Sequence, residues 1–185
     1  FSERGLIAWA AGSPSFRQYS EAGEVLSTHD FSRLRRAALL PSGWLVSLCY
    51  GQGLRLIRLG AASDPPVVIG QKEFIDLDQS GDGKTLVLAD LAGDIWLLRD
   101  RNDHPEATVL THAEGVTAVA IGEAAQTIAL AKERSIQLID LTTRKLIREI
   151  PSHGRAILDI KLSADGRWLA TGDLDQAARV WSIID

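Results

Sequence analysis

The chain has 185 residues, 45% of them apolar, and a formal net charge of −4. That apolar content supports a sizeable core and rules out a mainly disordered polymer. No apolar run reaches the roughly 18 residues of a membrane span, no N-terminal segment is laid out as a signal peptide, and an acidic chain has no basic field to concentrate nucleic acid. The expectation is a soluble, cytoplasmic protein with neither a membrane nor nucleic acid among its partners.

Short runs of alternating apolar and polar residues, rich in Ile, Leu, Val and Trp and parted by Gly, Asp, Ser or Pro, predict strands throughout. The first three are expected over Leu6–Ala11, Ser15–Tyr19 and Glu24–Ser27. Four follow over Leu34–Leu40, Trp44–Cys49, Leu54–Leu59 and Pro66–Ile69. Arg33, Arg35 and Arg36 are interrupted by Leu34, an alternation that suits a strand with one solvated face better than an anion site. Cys49, the single cysteine, ends an apolar run and reads as a small buried side chain in a reducing compartment.

The next four strands are expected over Phe74–Asp78, Thr85–Ala89, Ile95–Arg99 and Ala107–Leu110, with His104 in a solvated loop beside Pro105. Val116–Ile121, Thr127–Ala131, Ile136–Asp140 and Lys145–Ile150 come after them. The best helical periodicity in the chain, from Glu114 to Ala131, is broken by Gly115 and Gly122. Three strands close the chain, at Ile157–Leu162, Trp168–Thr171 and Ala178–Ile183.

These strands repeat. His29, His112 and His153 fall in register, the first interval close to twice the second, and Ser163-Ala164-Asp165-Gly166 follows Ser80-Gly81-Asp82-Gly83 at the longer of the two. Pro41-Ser42-Gly43 is a third copy of the same turn. Independent residue types thus share a period of about 41 residues, the mark of a repeat architecture.

The best-preserved unit, His153 to Trp181, reads H-x-x-x-I-x-D-I-x-L-S-x-D-G-x-W-L-A-T-G-x-x-D-x-x-A-R-V-W and resembles a WD40 repeat. The resemblance implies an all-β β-propeller in which each repeat lays down one four-stranded blade. It divides the chain into a partial blade at 1–29, blades at 30–70, 71–111 and 112–152, and a last blade at 153–185 that lacks its outer strand. That makes about four and a half degenerate blades. Rings of the family usually hold seven, and this chain has no methionine, so it reads as the C-terminal part of a longer array. Its end faces would then be covered by missing blades of the same protein or by another subunit, and the isolated chain is expected to self-associate.

Several fragments resemble chemical motifs and fail on inspection. Asp76-x-Asp78-x-Ser80-Gly81-Asp82 opens like a calcium loop but has Val87 where a bidentate Glu belongs. Gly83-Lys84-Thr85 ends like a phosphate loop but runs into a strand, with Asp78 at the first glycine position. Gly51-Gln52-Gly53 lacks the third glycine of a dinucleotide fingerprint, no Cys or His cluster has metal spacing, and no Gly-x-Ser-x-Gly elbow occurs. No catalytic residue, cofactor or metal site is expected.

What the resemblance does imply is a structural tetrad of His153, Thr171, Asp175 and Trp181, a buried hydrogen-bonded brace. It also points to a partner-binding rim at Glu114, Arg155, Asp90, Leu91, Glu133, Arg134 and Leu174. The expected function is therefore a non-catalytic protein-interaction, scaffold or sensor module of a larger, signalling protein. The alternative is a propeller enzyme or small-ligand binder whose channel strands carry Arg33, Arg35, Asp76, Asp78, Thr117, Asp159 and Lys161.

Overall fold

The computed structural model describes residues 6–9, 15–19, 22–30, 34–59, 67–70, 72–101, 104–122, 126–151, 154–163 and 165–183. Every regular element among them is a β-strand, and no helix is long and apolar enough to cross a membrane. The chain divides into two compact units, Phe1–Glu73 and Phe74–Asp185.

The first unit holds two antiparallel sheets of strands joined in sequence order. One comprises β1 (Leu6–Trp9), β2 (Ser15–Tyr19) and β3 (Val25–Asp30), and the other β4 (Leu34–Leu39), β5 (Trp44–Cys49), β6 (Gly53–Arg58) and β7 (Val67–Ile69). Arg33 and Pro66 lie outside the described residues. Arg35 is exposed, and its guanidinium sits over the Tyr50 ring at 5.5 Å from the centroid. Gly53 opens β6 at φ 72°, where a Cβ would collide with the carbonyl of Gly70, so the Gly51-Gln52-Gly53 run is a hairpin turn that requires glycine. Burial pushes the Cys49 thiol above its ordinary range, as befits a core side chain.

The second unit holds three sheets of the same kind, which are propeller-type blades. They are β8 (Phe74–Gln79) to β11 through β9 (Thr85–Asp90), β10 (Asp94–Arg101) and β11 (His104–His112); β12 (Val116–Ile121), β13 (Thr127–Lys132), β14 (Ser135–Asp140) and β15 (Leu146–Pro151); and β16 (Ile157–Leu162), β17 (Trp168–Asp173) and β18 (Ala178–Ser182). His104 belongs to β11, paired with Arg101, and is not in a loop. The hairpin bonds continue past the apolar run, where a pattern of hydrophobicity stops. For the same reason β9 and β17 extend to Asp90 and Asp173.

The first strands β4, β8, β12 and β16 each carry one bulge, at Arg35, Ile75, Thr117 and Leu158, positions that recur once per repeat. A bulged residue re-aims the strand at the same place in all four sheets. Outer strands are bulged too, opposite Ile95/Trp96 and Leu138/Ile139, which makes them poor templates for edge pairing.

Two cores hold the second unit together. Val87, Ala89, Ile95 and Leu97 pack on Val119, Ile121, Ile128, Leu130 and Ile139, joining the β8–β11 and β12–β15 sheets. On the far face of the latter, Ala118, Ala120, Ala129, Ala131, Ile136 and Leu138 meet Ile157, Ile160 and Leu169. Each buried Val, Leu or Ile side chain contributes about 1.5–3 kcal/mol, and each alanine less. β13 is covered on both faces, with Ile128 and Leu130 in the first core and Ala129 and Ala131 in the second, which is why its four central residues are buried.

Polar links supplement this packing. Among the described strands β12 pairs only with β13, so the amides along its other edge need acceptors. Asp76 accepts from Val119 N–H and Asp78 from Ile121 N–H, each at 2.9 Å. Thr117 donates its hydroxyl to the Ile157 carbonyl at 2.5 Å, and Lys161 ion-pairs with Asp78.

Candidate functional site

Three hairpin turns and two inter-sheet links gather at one end of the second unit, and backbone hydrogen bonds set their order. Ala113 N–H donates to Gly93 O (2.7 Å), Glu133 N–H to Gly115 O (3.3 Å), Ile157 N–H to Glu133 O (2.8 Å) and Leu174 N–H to Ala156 O (3.1 Å). Turn 91–93, link 113–115, turn 133–134, link 154–156 and turn 174–177 therefore follow one another along a rim. Gly93, at φ 93°, allows the first approach, since a Cβ there would lie 3.0 Å from the Ala113 carbonyl.

Two of the turns are built alike. Asp90 is 1% exposed; its Oδ1 accepts from Asp94 N–H at 2.9 Å and its Oδ2 from Trp96 Nε1–H at 3.0 Å. The Trp96 ring is held edge-on against Phe74, with centroids 5.9 Å apart. Asp173, two repeats further on, accepts from Asp175 N–H (2.9 Å) and Ala177 N–H (3.0 Å) through Oδ1, and from Arg179 Nη1–H (2.9 Å) through Oδ2. A buried carboxylate with every bond satisfied fixes one turn geometry. Immediately after each comes an exposed leucine, Leu91 at 67% and Leu174 at 56%. Tyr50, half exposed in the β5–β6 turn, stands at the same register one repeat before Leu91.

The expected rim residues divide accordingly. Glu114, Glu133, Arg134, Arg155, Leu91 and Leu174 are exposed at this end. Asp90 is a correction: both its oxygens face inward to turn donors, so it shapes the rim without being available to a partner. Glu133 holds φ 50°, a backbone that non-glycine residues rarely adopt, fixed by the bonds of its N–H and C=O to the two neighbouring links. Glu133 and Arg134 also border a groove of about 580 Å³ with Lys132, Ser135, Gln137, Glu149 and Pro151. His112, at the end of β11, bonds through Nδ1 to Asp94 Oδ1 at 2.9 Å.

Of the expected tetrad, Thr171 and Trp181 are joined, with Trp181 Nε1–H donating to Thr171 Oγ1 at 3.0 Å. His153 lies outside the described residues. Asp175 is exposed and faces Arg155 Nε at 3.4 Å. The buried carboxylate of this turn is Asp173, which sequence reasoning did not single out. Its signal was available: Asp173-Leu174 repeats Asp90-Leu91 at the same two-repeat offset that relates the Ser80 and Ser163 turns.

The residues of the other motifs have structural occupations. Asp76 and Asp78 are bound to β12 amides, and Ser80 and Asp82 close the β8–β9 turn. Ser80 Oγ–H donates to Asp82 Oδ1 at 2.7 Å and Lys84 N–H to the same oxygen at 2.9 Å, as Ser163 and Arg167 do for Asp165. These bonds, the serine hydroxyl first, hold both carboxyls below the ordinary carboxylate range. Among the described residues no group of three or more His, Cys, Asp or Glu side chains is placed to hold a metal ion.

Residues 144–182 match the family model described as WD domain, G-beta repeat. The nuclear distribution protein nudF of Aspergillus niger is 34% identical over 113 residues, 58% of this chain and 26% of that protein. Human WD repeat-containing protein 36 is 41% identical over 49 residues, 26% of this chain and 6% of its own length. The U3 small nucleolar RNA-associated protein 21 homolog of Schizosaccharomyces pombe is 38% identical over 48 residues, 26% of this chain and 5% of that protein. The aligned stretches thus span about a quarter or less of each of these relatives.

Proposed function

From the premise that this chain is a β-propeller segment of degenerate WD40 repeats, we propose that it is a non-catalytic protein-interaction module and that the rim of turns and links in residues 74–185 is its binding face. The observation that carries this reading is the recurrence of an exposed leucine on a turn locked by a buried aspartate, at Asp90-Leu91 and again at Asp173-Leu174. Each of the two leucines stands in solvent on a turn that a buried carboxylate holds in one shape. A pre-shaped apolar group loses little conformational freedom when a partner covers it, which is how interface anchors gain affinity.

The groups that a channel enzyme would use have other work: Asp76, Asp78, Thr117 and Lys161 link neighbouring sheets. A scaffold or sensor role in a larger cytoplasmic signalling protein belongs to the same reading, and the lone buried Cys49 suits a reducing compartment. The net charge of −4 argues for protein over nucleic acid as the partner. One relative is by its name associated with a small nucleolar RNA, so RNA belongs in the test.

The test is affinity capture from the source cell with the chain as bait, with and without nuclease. The expected result is a nuclease-resistant protein partner that is lost on Leu91→Ser/Leu174→Ser while the melting temperature stays unchanged. Capture that disappears with nuclease, or that ignores both leucines, overturns the proposal.

A further inference from the structure

Resting on that reading of the rim, we infer that its partner is a protein segment presenting a basic side chain, Lys or Arg, between apolar ones. The backbone bonds order the rim from Leu91 through Glu114, Glu133 and the Arg155–Asp175 pair to Leu174. Two exposed leucines thus bracket a charged strip.

The described turns and links carry three carboxylates, Glu114, Glu133 and Asp175, and the guanidinium groups of Arg134 and Arg155. Asp175 and Arg155 answer each other at 3.4 Å, and Arg134 sits beside Glu133 in the same two-residue turn. The Glu114 side chain is 87% exposed. His112 Nε2 lies 4.0 Å from its Oε1, on a ring whose Nδ1 bonds Asp94 Oδ1.

Glu114 stands between the two leucines in the order of the rim, so a partner that follows the rim from one to the other passes over it. A wholly apolar segment would bury that carboxylate without a counter-charge, and an acidic one would set like charges together; both are unfavourable. A cation at that point satisfies Glu114, while the flanking apolar groups dry the two leucines and strengthen the ion pair from both sides. The strip is mostly solvent-facing, so the charge contributes chiefly to partner choice and association rate.

Panning a random peptide library displayed on phage against the immobilised full chain tests this. The expected peptides share a Lys or Arg with apolar residues on both sides and lose binding on Leu91→Ser/Leu174→Ser. Glu114→Lys is expected to weaken them by about tenfold or more, and Glu114→Gln by less, with weaker binding in high salt. Peptides that need both leucines yet lack a basic residue, or that bind Glu114→Lys as well as the original chain, overturn this inference and leave the binding face standing. Peptides indifferent to the two leucines overturn the binding face itself.

Discussion

Asp173→Ala removes three hydrogen bonds at once from a carboxylate with no side-chain exposure. Bonds to a charged group contribute about 1.5–3 kcal/mol each, and breaking a buried pair from one side costs about 3–5 kcal/mol. Here the losses are partly recovered. The Arg179 side chain is 39% exposed and can take up water, and the amides of Asp175 and Ala177 sit in a surface turn. The low end therefore applies, about 3 kcal/mol, which in a protein of this size lowers the melting temperature by about 6–12 °C.

Asp175→Ala, two residues away, is the control. Its carboxylate is half exposed and meets Arg155 at 3.4 Å, an arrangement in which an ion pair contributes about 0–1 kcal/mol. Asp173→Asn should fall between the two, since an amide oxygen still caps the turn but its NH₂ group cannot accept from Arg179. Thermal and urea unfolding followed by circular dichroism and tryptophan emission give all three values. A melting temperature for Asp173→Ala within about 2 °C of the original, or a larger loss for Asp175→Ala, would falsify the assignment of Asp173 as the brace of this turn.

The sister site should respond in kind: Asp90→Ala is expected to cost about 2–4 kcal/mol and to red-shift tryptophan emission as Trp96 loses its acceptor, and an unaltered spectrum would count against that bond. Leu169→Ala, in the core between the β12–β15 and β16–β18 sheets, should cost about 2–5 kcal/mol in urea unfolding, whereas a loss under about 1 kcal/mol would mean that the two sheets are not closely packed there. Asp82 and Asp165 titrate below the ordinary carboxylate range when folded, so the folded chain binds fewer protons than the unfolded one. Their contribution is complete above the unfolded value and is lost as pH falls through the folded one, so Asp82→Asn/Asp165→Asn should show a shallower loss of stability between about pH 5 and pH 2; an equally steep loss would contradict this.

The repeat was legible because it is local. Strand, turn and offset are written in alternating residues and in Ser-x-Asp-Gly turns, and the hydrogen bonds of Ser80 and Ser163 show why those residues recur. Strand ends were less legible. Hairpin pairing carries β11 out to His104 and β17 to Asp173, beyond the apolar residues that announce them.

The candidate site divides in the same way. Leu91, Glu114 and Leu174 could be named from their place in the repeat, because turn positions follow from strand positions. Whether a carboxylate there faces solvent or the interior could not. The repeat pattern puts Asp90 on the rim and Asp175 in the buried brace, whereas the fold buries the first and leaves the second exposed beside Arg155.

By itself the sequence determined an all-β chain of regularly repeating strands, because side-chain alternation and turn chemistry act over a few neighbouring residues. Only the tertiary structure decided the partners of Asp76, Asp78 and Lys161, which belong to amides and charges on strands 43 to 83 residues away. It also decided that Asp90 and Asp173 turn inward while Leu91 and Leu174 turn out. The direction of a side chain at the end of a hairpin depends on which donors the folded turn leaves unsatisfied, and that is settled when the chain closes on itself.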